Sequence, residues 1–155
     1  NLYGLEGDVP ENSYAIPFGE ANIVRDGKHV SIVTYGLMVH RALDAAAVLA
    51  KEGIEAEVVD LRTLSPLDMD TVLETVESTG RLVVVDEASP RCNIATDIAA
   101  QVAMQAFDAL QAPIQMVAPP HTPVPFSPAL EDLYIPSAAQ IADAARRTMG
   151  KGRRN

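Results

Sequence analysis

The residues best placed to do chemistry lie in one short stretch, Asp86, Glu87, Arg91 and Cys92, directly after a run of valines. A thiol at the start of a helix, beside a guanidinium, is in the setting that lowers a thiol's pKa, so Cys92 is a candidate nucleophile. The same helix end, with Arg91 assisting, is a candidate anion site. Nucleophilic catalysis also needs a positioned base and an oxyanion site, and spacing assigns neither. Small-residue packing is the competing reading of Cys92. Asp86 and Glu87 close an apolar strand where open α/β sheets bind ligands, which makes them candidate polar anchors. Adjacent strand residues point to opposite faces, so the pair does not form an acid couple by spacing alone. Of the three histidines, His40 lies on a helical pattern four residues from Asp44 and reads as a surface residue. His121 lies in a proline-rich stretch and is the better candidate for touching a ligand or partner.

Other chemistries are disfavoured by what the chain lacks. No glycine occurs between positions 81 and 149, and Gly4-Leu5-Glu6-Gly7 neither follows a strand nor opens a helix, so no phosphate loop is expected. Cys92, His29, His40 and His121 are too scattered in sequence for zinc-ligand spacing, and no metal is expected. The single cysteine excludes an internal disulfide framework. With neither a leader pattern nor a long apolar run, a soluble, cytoplasmic protein is expected.

The elements that must position these residues follow from periodicity. Glu57-Val58-Val59-Asp60-Leu61 and Arg81-Leu82-Val83-Val84-Val85-Asp86 are short, β-branched runs of the kind buried on both faces of a parallel sheet. Between them, Ser65-Pro66-Leu67-Asp68 offers a cap, a proline for the first helical position and a carboxylate, while Gly80 supplies the stop. Residues 54–100 thus hold one βαβ unit and the helix after it, and the rest of the chain is arranged around them.

Upstream, 21–25 and 29–35 are strand patterns flanking Asp26-Gly27-Lys28, which predicts an antiparallel hairpin. Residues 37–52 carry helical spacing with Gly53 as the stop. Downstream, 94–110 reads as a helix, 113–117 as a short strand and 137–149 as a helix opened by the capping-box pair Ser137 and Gln140. The pattern ββαβαβαβ predicts a three-layer α/β/α domain. Its mixed sheet should have about five strands, mostly parallel, with one antiparallel edge hairpin.

A chain of 155 residues suits a single domain that buries roughly two-thirds of its unfolded surface. The expected boundaries are a connector at 1–19, entering from an upstream domain or packing as an arm, the α/β domain at 20–149 and a disordered tail at 150–155. The net charge of −9 is unevenly placed, since all 21 acidic residues but only seven of the 12 basic ones precede position 146. Such an acidic body repels nucleic acid and suits a basic protein partner, or serves solubility alone. Residues 113–136 hold seven of the 11 prolines, predicting a stiff, extended, partly polyproline-like arm. His121, Pro123, Val124, Phe126, Leu130 and Tyr134 along it, with Leu133, are candidates for an interface or for packing over the domain itself.

The strings VTYGLMVHRALDAA, EVVDLRTLSPLD, ESTGRLVVVDEASPRCNIATDIAA and PPHTPVPFSPALEDLYIPSAAQI, in this order and spacing over residues 16–149, carry a resemblance. They resemble the C-terminal, transketolase-type domain of the β subunit of thiamine-diphosphate-dependent 2-oxo acid dehydrogenases, the pyruvate, branched-chain and acetoin group. NLYGLEGDVP resembles the end of that family's preceding pyrimidine-binding domain. The resemblance implies that thiamine diphosphate and Mg are bound outside this chain, between the α subunit and the upstream domain. It therefore implies no catalytic residue here. It implies partners instead: the α subunit and a second β subunit of an α2β2 heterotetramer, and the peripheral binding domain of the lipoyl acyltransferase core. An isolated domain is expected as a possible homodimer. Many family members carry an acid where His121 stands, whereas His-Thr-Pro-Val-Pro-Phe-Ser resembles the bacterial pyruvate and acetoin branch; the substrate is read elsewhere in the enzyme.

Overall fold

The computed structural model describes residues 2–150. Its strands are β1 (Asn22–Arg25), β2 (Val30–Thr34), β3 (Ala56–Asp60), β4 (Leu82–Val85) and β5 (Gln115–Val117). The helices are α1 (Leu37–Ala50), α2 (Met69–Thr79), α3 (Ile94–Gln105), α4 (Pro128–Tyr134) and α5 (Ala138–Met149). The strands form one sheet in the order β1-β3-β2-β4-β5; β1 is antiparallel to β3, and the β2–β3, β2–β4 and β4–β5 pairs are parallel.

Side-chain alternation along the strands divides the core in two. Val30, Ile32, Ala56, Val58, Val83 and Val85 pack against α1 and α5, while Val33, Val59, Leu82 and Val84 pack against α2 and α3. The alanines of α1 have a packing role: Ala42, Ala45 and Ala46 are fully buried beside Ala144 and Ala145 of α5, so the two backbones approach closely. Arg146 on α5 then reaches the Glu52 carboxylate just beyond α1 at 2.7 Å.

Four local expectations are corrected. The Asp26-Gly27-Lys28 turn does not make a hairpin, because β1 pairs with β3 and not with β2. The turn crosses the start of β3 instead: the amides of Lys28 and His29 both donate to the Glu55 carbonyl, at 3.1 and 2.9 Å. A Cβ on Gly27 would collide with the backbone of Ala56 and Glu57, which is why glycine stands there. Burial decides the arrangement, since β2 is buried at every position and needs a strand on each side, whereas the partly exposed β1 tolerates an edge.

The second correction concerns α2, which starts at Met69 and not at Pro66. Asp68 is its N-cap, accepting from the Thr71 amide at 3.1 Å, and Ser65–Pro66 lies in the preceding turn with a cis bond. The third is the proline arm, which is not extended throughout. Ser127 is the N-cap, Pro128 takes a first-turn position where proline is tolerated, and the chain from Pro128 to Tyr134 closes into α4. The helix expected over 94–110 ends at Gln105 and is followed by a 3-10 turn, Phe107–Ala109. The capping box of Ser137 and Gln140 forms as expected.

Residues 5–18 have no regular structure and are exposed. The segment is tied where it meets the domain: the Gly19 amide donates to Thr63 Oγ1 at 2.9 Å and the Ala21 amide to Asp68 Oδ2 at 2.8 Å. Apart from Gly150, the tail expected at 150–155 lies outside the described residues.

Candidate functional site

Strands β2 and β4 are neighbours, yet the helices that follow them pack on opposite faces, α1 with one half of the core and α3 with the other. The carboxyl ends of such a pair form the switch point where open α/β sheets bind ligands. Here the chain fills that position with its own side chains. Tyr35, just after β2, donates its hydroxyl to Asp86 Oδ1, just after β4, at 2.8 Å, and the Ala88 amide donates to the same oxygen at 2.8 Å. Thr34 Oγ1 adds a bond to the Val85 carbonyl at 2.9 Å. Asp86 is fully buried, and its Oδ2 has no partner among the described residues.

The electrostatics of this edge are those of an acidic, partly dry corner. Burial pushes the Tyr35 phenol well above its usual range, helped by its bond to Asp86 and by the charges of Asp86 and Glu87. Desolvation, then the charge of Asp86, raises the Glu87 carboxyl. The candidate anchors Asp86 and Glu87 therefore sit in different environments, one buried and one exposed at the surface. A resident carboxylate in the crevice opposes an anion, while Arg91 and Cys92 are both exposed.

Cys92 has a positive φ of 56° and precedes Asn93, the N-cap of α3, whose side chain accepts from the Thr96 amide at 3.0 Å. No hydrogen bond joins Cys92 to a histidine or an acid among the described residues. His121 is engaged elsewhere: Ser89 Oγ and His121 Nδ1 lie 2.9 Å apart. The arrangement of a nucleophile with an oriented base is thus not assembled around Cys92.

The Ser89–His121 contact brings the two sequence-identified regions together, because it ties the proline arm to the loop after β4. A second tie comes from Tyr134, which is buried at 8% exposure and donates its hydroxyl to the Thr122 carbonyl at 3.3 Å. Of the two readings of the arm, Tyr134 takes packing over the domain itself: it anchors the arm and is not displayed by it. The other candidates along the arm are at the surface: Phe126 is fully exposed, Leu133 is 80% exposed, and Pro123, Val124 and Leu130 are exposed as well. Within α4 only Tyr134 is buried, while Leu130 and Leu133 are exposed.

Sequence reasoning missed Tyr35 and Ser89 as partners of Asp86 and His121. It also missed a buried polar ladder on the α2 side of the sheet, where Ser31 Oγ lies 2.7 Å from both Thr75 Oγ1 and Thr79 Oγ1, and Thr75 donates to Glu57. The signal for the ladder was present, since Ser31 and Glu57 are the polar interruptions of two apolar strands and Thr75 and Thr79 are one helical turn apart.

A doubly wound domain of four parallel strands and one antiparallel edge strand, with its switch point closed from within, defines the class. The chain belongs to the family described as transketolase, C-terminal domain, which matches residues 19–141. It is 86% identical over 153 residues to the beta subunit of acetoin:2,6-dichlorophenolindophenol oxidoreductase of Cupriavidus necator, covering 99% of this chain and 45% of that protein. It is 52% identical to the subunit of the same name from Bacillus subtilis (96% of this chain, 44% of that protein). It is 46% identical to the pyruvate dehydrogenase E1 component subunit beta of the same organism, over 92% and 43% of the two chains. The chain thus spans about half the length of these relatives. Among solved structures, a split-gene transketolase described as an inactive beta4 tetramer superposes with a TM-score of 0.74 at 28% identity, covering 94% of this chain and 47% of that one.

The residues present do not suit a diphosphate-bound cofactor. The switch point holds an acid where a phosphate would need donors, and no three His, Cys, Asp or Glu side chains converge to hold a metal among the described residues. No step of thiamine chemistry is therefore assigned to a side chain of this domain.

Proposed function

We propose that this chain is the C-terminal, non-catalytic domain of the β subunit of a thiamine-diphosphate-dependent acetoin dehydrogenase. In this reading the cofactor, with its Mg, is held outside the domain. The whole enzyme cleaves its substrate at the thiamine ylid, and this domain contributes assembly and docking surfaces. The observation that carries the reading is the 86% identity to an acetoin oxidoreductase beta subunit against 46% to a pyruvate dehydrogenase one. Partners in this proposal are the α subunit, a second β subunit in an α2β2 heterotetramer and the peripheral binding domain of the lipoyl acyltransferase; a homodimer is the expected form without them. A cytoplasmic location belongs to the same reading. The exposed apolar row of the arm supports a surface made to be covered.

The test is a chimera. This chain replaces the matching segment of the Cupriavidus necator beta subunit, which is co-expressed with its α subunit and assayed for dye reduction. Assembly with the α subunit and acetoin-dependent activity near the parent level are the expected results. A soluble chimera that fails to assemble with the α subunit, or an isolated chain that turns over acetoin by itself, overturns the proposal. Docking is read separately, by salt-dependent titration of the assembled chimera with the peripheral binding domain.

A further inference from the structure

A groove of about 280 Å³ lies between α5 and the edge strand β5, lined by Met116, Val117, Ala118, Gln140, Asp143 and Arg147. It belongs neither to the switch point nor to the outward row of the arm. β5 is the last strand of the sheet. The Val117 carbonyl accepts from the Asp86 amide, so Val117 and Gln115 turn their backbone groups toward β4. By the alternation of a strand, the N–H and C=O of Met116 face away from the sheet at the groove side.

Each polar side chain in the lining is fixed at one end and unengaged at the other. Arg147 Nε donates to Gln115 Oε1 at 3.0 Å, yet the guanidinium makes no ion pair among the described residues. Asp143 is oriented by Arg146 through Oδ1, and its Oδ2 has no partner among the described residues. Gln140 accepts from the Ser137 amide at 2.8 Å through Oε1, leaving its Nε2 donors unused. Residues 140, 143 and 147 recur at helical spacing, so one face of α5 presents an amide, a carboxylate and a guanidinium in a row. Side chains held from behind are pre-organised, which reduces the entropy lost when a ligand binds.

We propose that this groove is a binding site for a small zwitterion of the free α-amino-acid class. The ligand's carboxylate pairs with the guanidinium of Arg147, and its ammonium pairs with Asp143 Oδ2. Its side chain lies over Val117, while Gln140 and the outward amide of Met116 complete the polar contacts. A simple anion lacks the group that Asp143 calls for, and a simple amine lacks the one that Arg147 calls for.

The experiment is an NMR titration of the isotopically labelled 155-residue chain with L-leucine, N-acetyl-L-leucine and L-leucinamide. L-leucine is expected to shift the Met116 and Ala118 amides saturably with a Kd on the order of 1 mM, and each blocked analogue to bind about tenfold more weakly. Arg147→Gln weakens L-leucine about tenfold, and Asp143→Asn abolishes the preference for L-leucine over its N-acetyl form. Both positions are exposed, and the unperturbed amide spectrum of each variant reports that it is folded. Absence of saturable shifts up to about 20 mM, equal binding of the three probes, or retention of affinity in Arg147→Gln overturns the proposal.

Discussion

The loop after β4 and the proline arm after β5 leave the same edge of the sheet, touch at Ser89 and His121, and spend their side chains in opposite ways. At the loop, Asp86 turns inward and is consumed by Tyr35 and the Ala88 amide. Along the arm, Phe126, Leu130 and Leu133 are left exposed. Polar groups at the position where such folds bind ligands have thus become structural, while apolar groups that cost free energy in water are left on display. In this domain the chemically suggestive residues close the fold, and the less reactive ones stay at the surface.

The largest effect is expected at the residue that joins the two behaviours. Tyr134→Ala removes the arm's only buried aromatic and should cost about 3 kcal/mol of unfolding free energy, measured in urea. Tyr134→Phe keeps the packing and loses only the bond to Thr122, costing about 1 kcal/mol or less. A loss below about 0.5 kcal/mol in the alanine variant would show that α4 is not anchored as the structure has it.

At the loop, Asp86→Ala is expected to cost about 2 kcal/mol, because it leaves the Tyr35 hydroxyl and the Ala88 amide without their acceptor. It should also move the Tyr35 phenol back toward its ordinary range, read from tyrosinate absorbance. The folded-state pKa of Tyr35 is raised, so its contribution to stability is fully present below the unfolded value of about 10 and is lost as pH climbs above it. A Tyr35 titration unchanged in Asp86→Ala would break the assignment.

Asp68 repeats the inward pattern after β3, on a smaller scale. Burial alone would raise its carboxyl, but the amides of Ala21 and Thr71 and the Thr71 hydroxyl outweigh it and hold the pKa below the usual value. The stability it adds is therefore present above its unfolded value of about 3.9 and is lost as pH falls through the lower folded value. Asp68→Ala should cost about 1 kcal/mol at pH 7, as the loss of an N-cap does, and the difference from the parent should shrink in acid. A pH-independent difference would assign the effect to packing alone.

Much of this was legible in the sequence because the strands here are apolar on both faces. Runs such as Leu82–Val85 mark central parallel strands, and Ser137 with Gln140 and Gly80 mark helix ends locally. What was not legible depends on partners distant in sequence. The Asp-Gly turn looks like a hairpin until β3, some 30 residues later, takes the place beside β2. Likewise Ser65-Pro66 looks like a helix start until Asp68 is seen to serve both Thr71 and Ala21. The inward turn of Tyr134 is of the same kind, since the Thr122 carbonyl that it meets, 12 residues earlier, is placed only by the folded arm.

The smallest effect on stability is expected where the functional effect is greatest. Phe126 is fully exposed, so Phe126→Ser removes no packing and should change the unfolding free energy by less than about 0.5 kcal/mol. If the arm is an interface, the same change removes a large apolar side chain from the covered surface and should weaken association with the partner subunits by about 1–3 kcal/mol, roughly 5- to 150-fold, as read by sedimentation of the assembled complex. Leu133→Ser should follow with a smaller loss. The separation of the two readouts is what distinguishes the arm from the loop, because a substitution at Asp86 acts on folding first and on assembly only through it. Equal, unchanged sedimentation of Phe126→Ser and parent would remove the arm from the interface and leave its exposed row without a role.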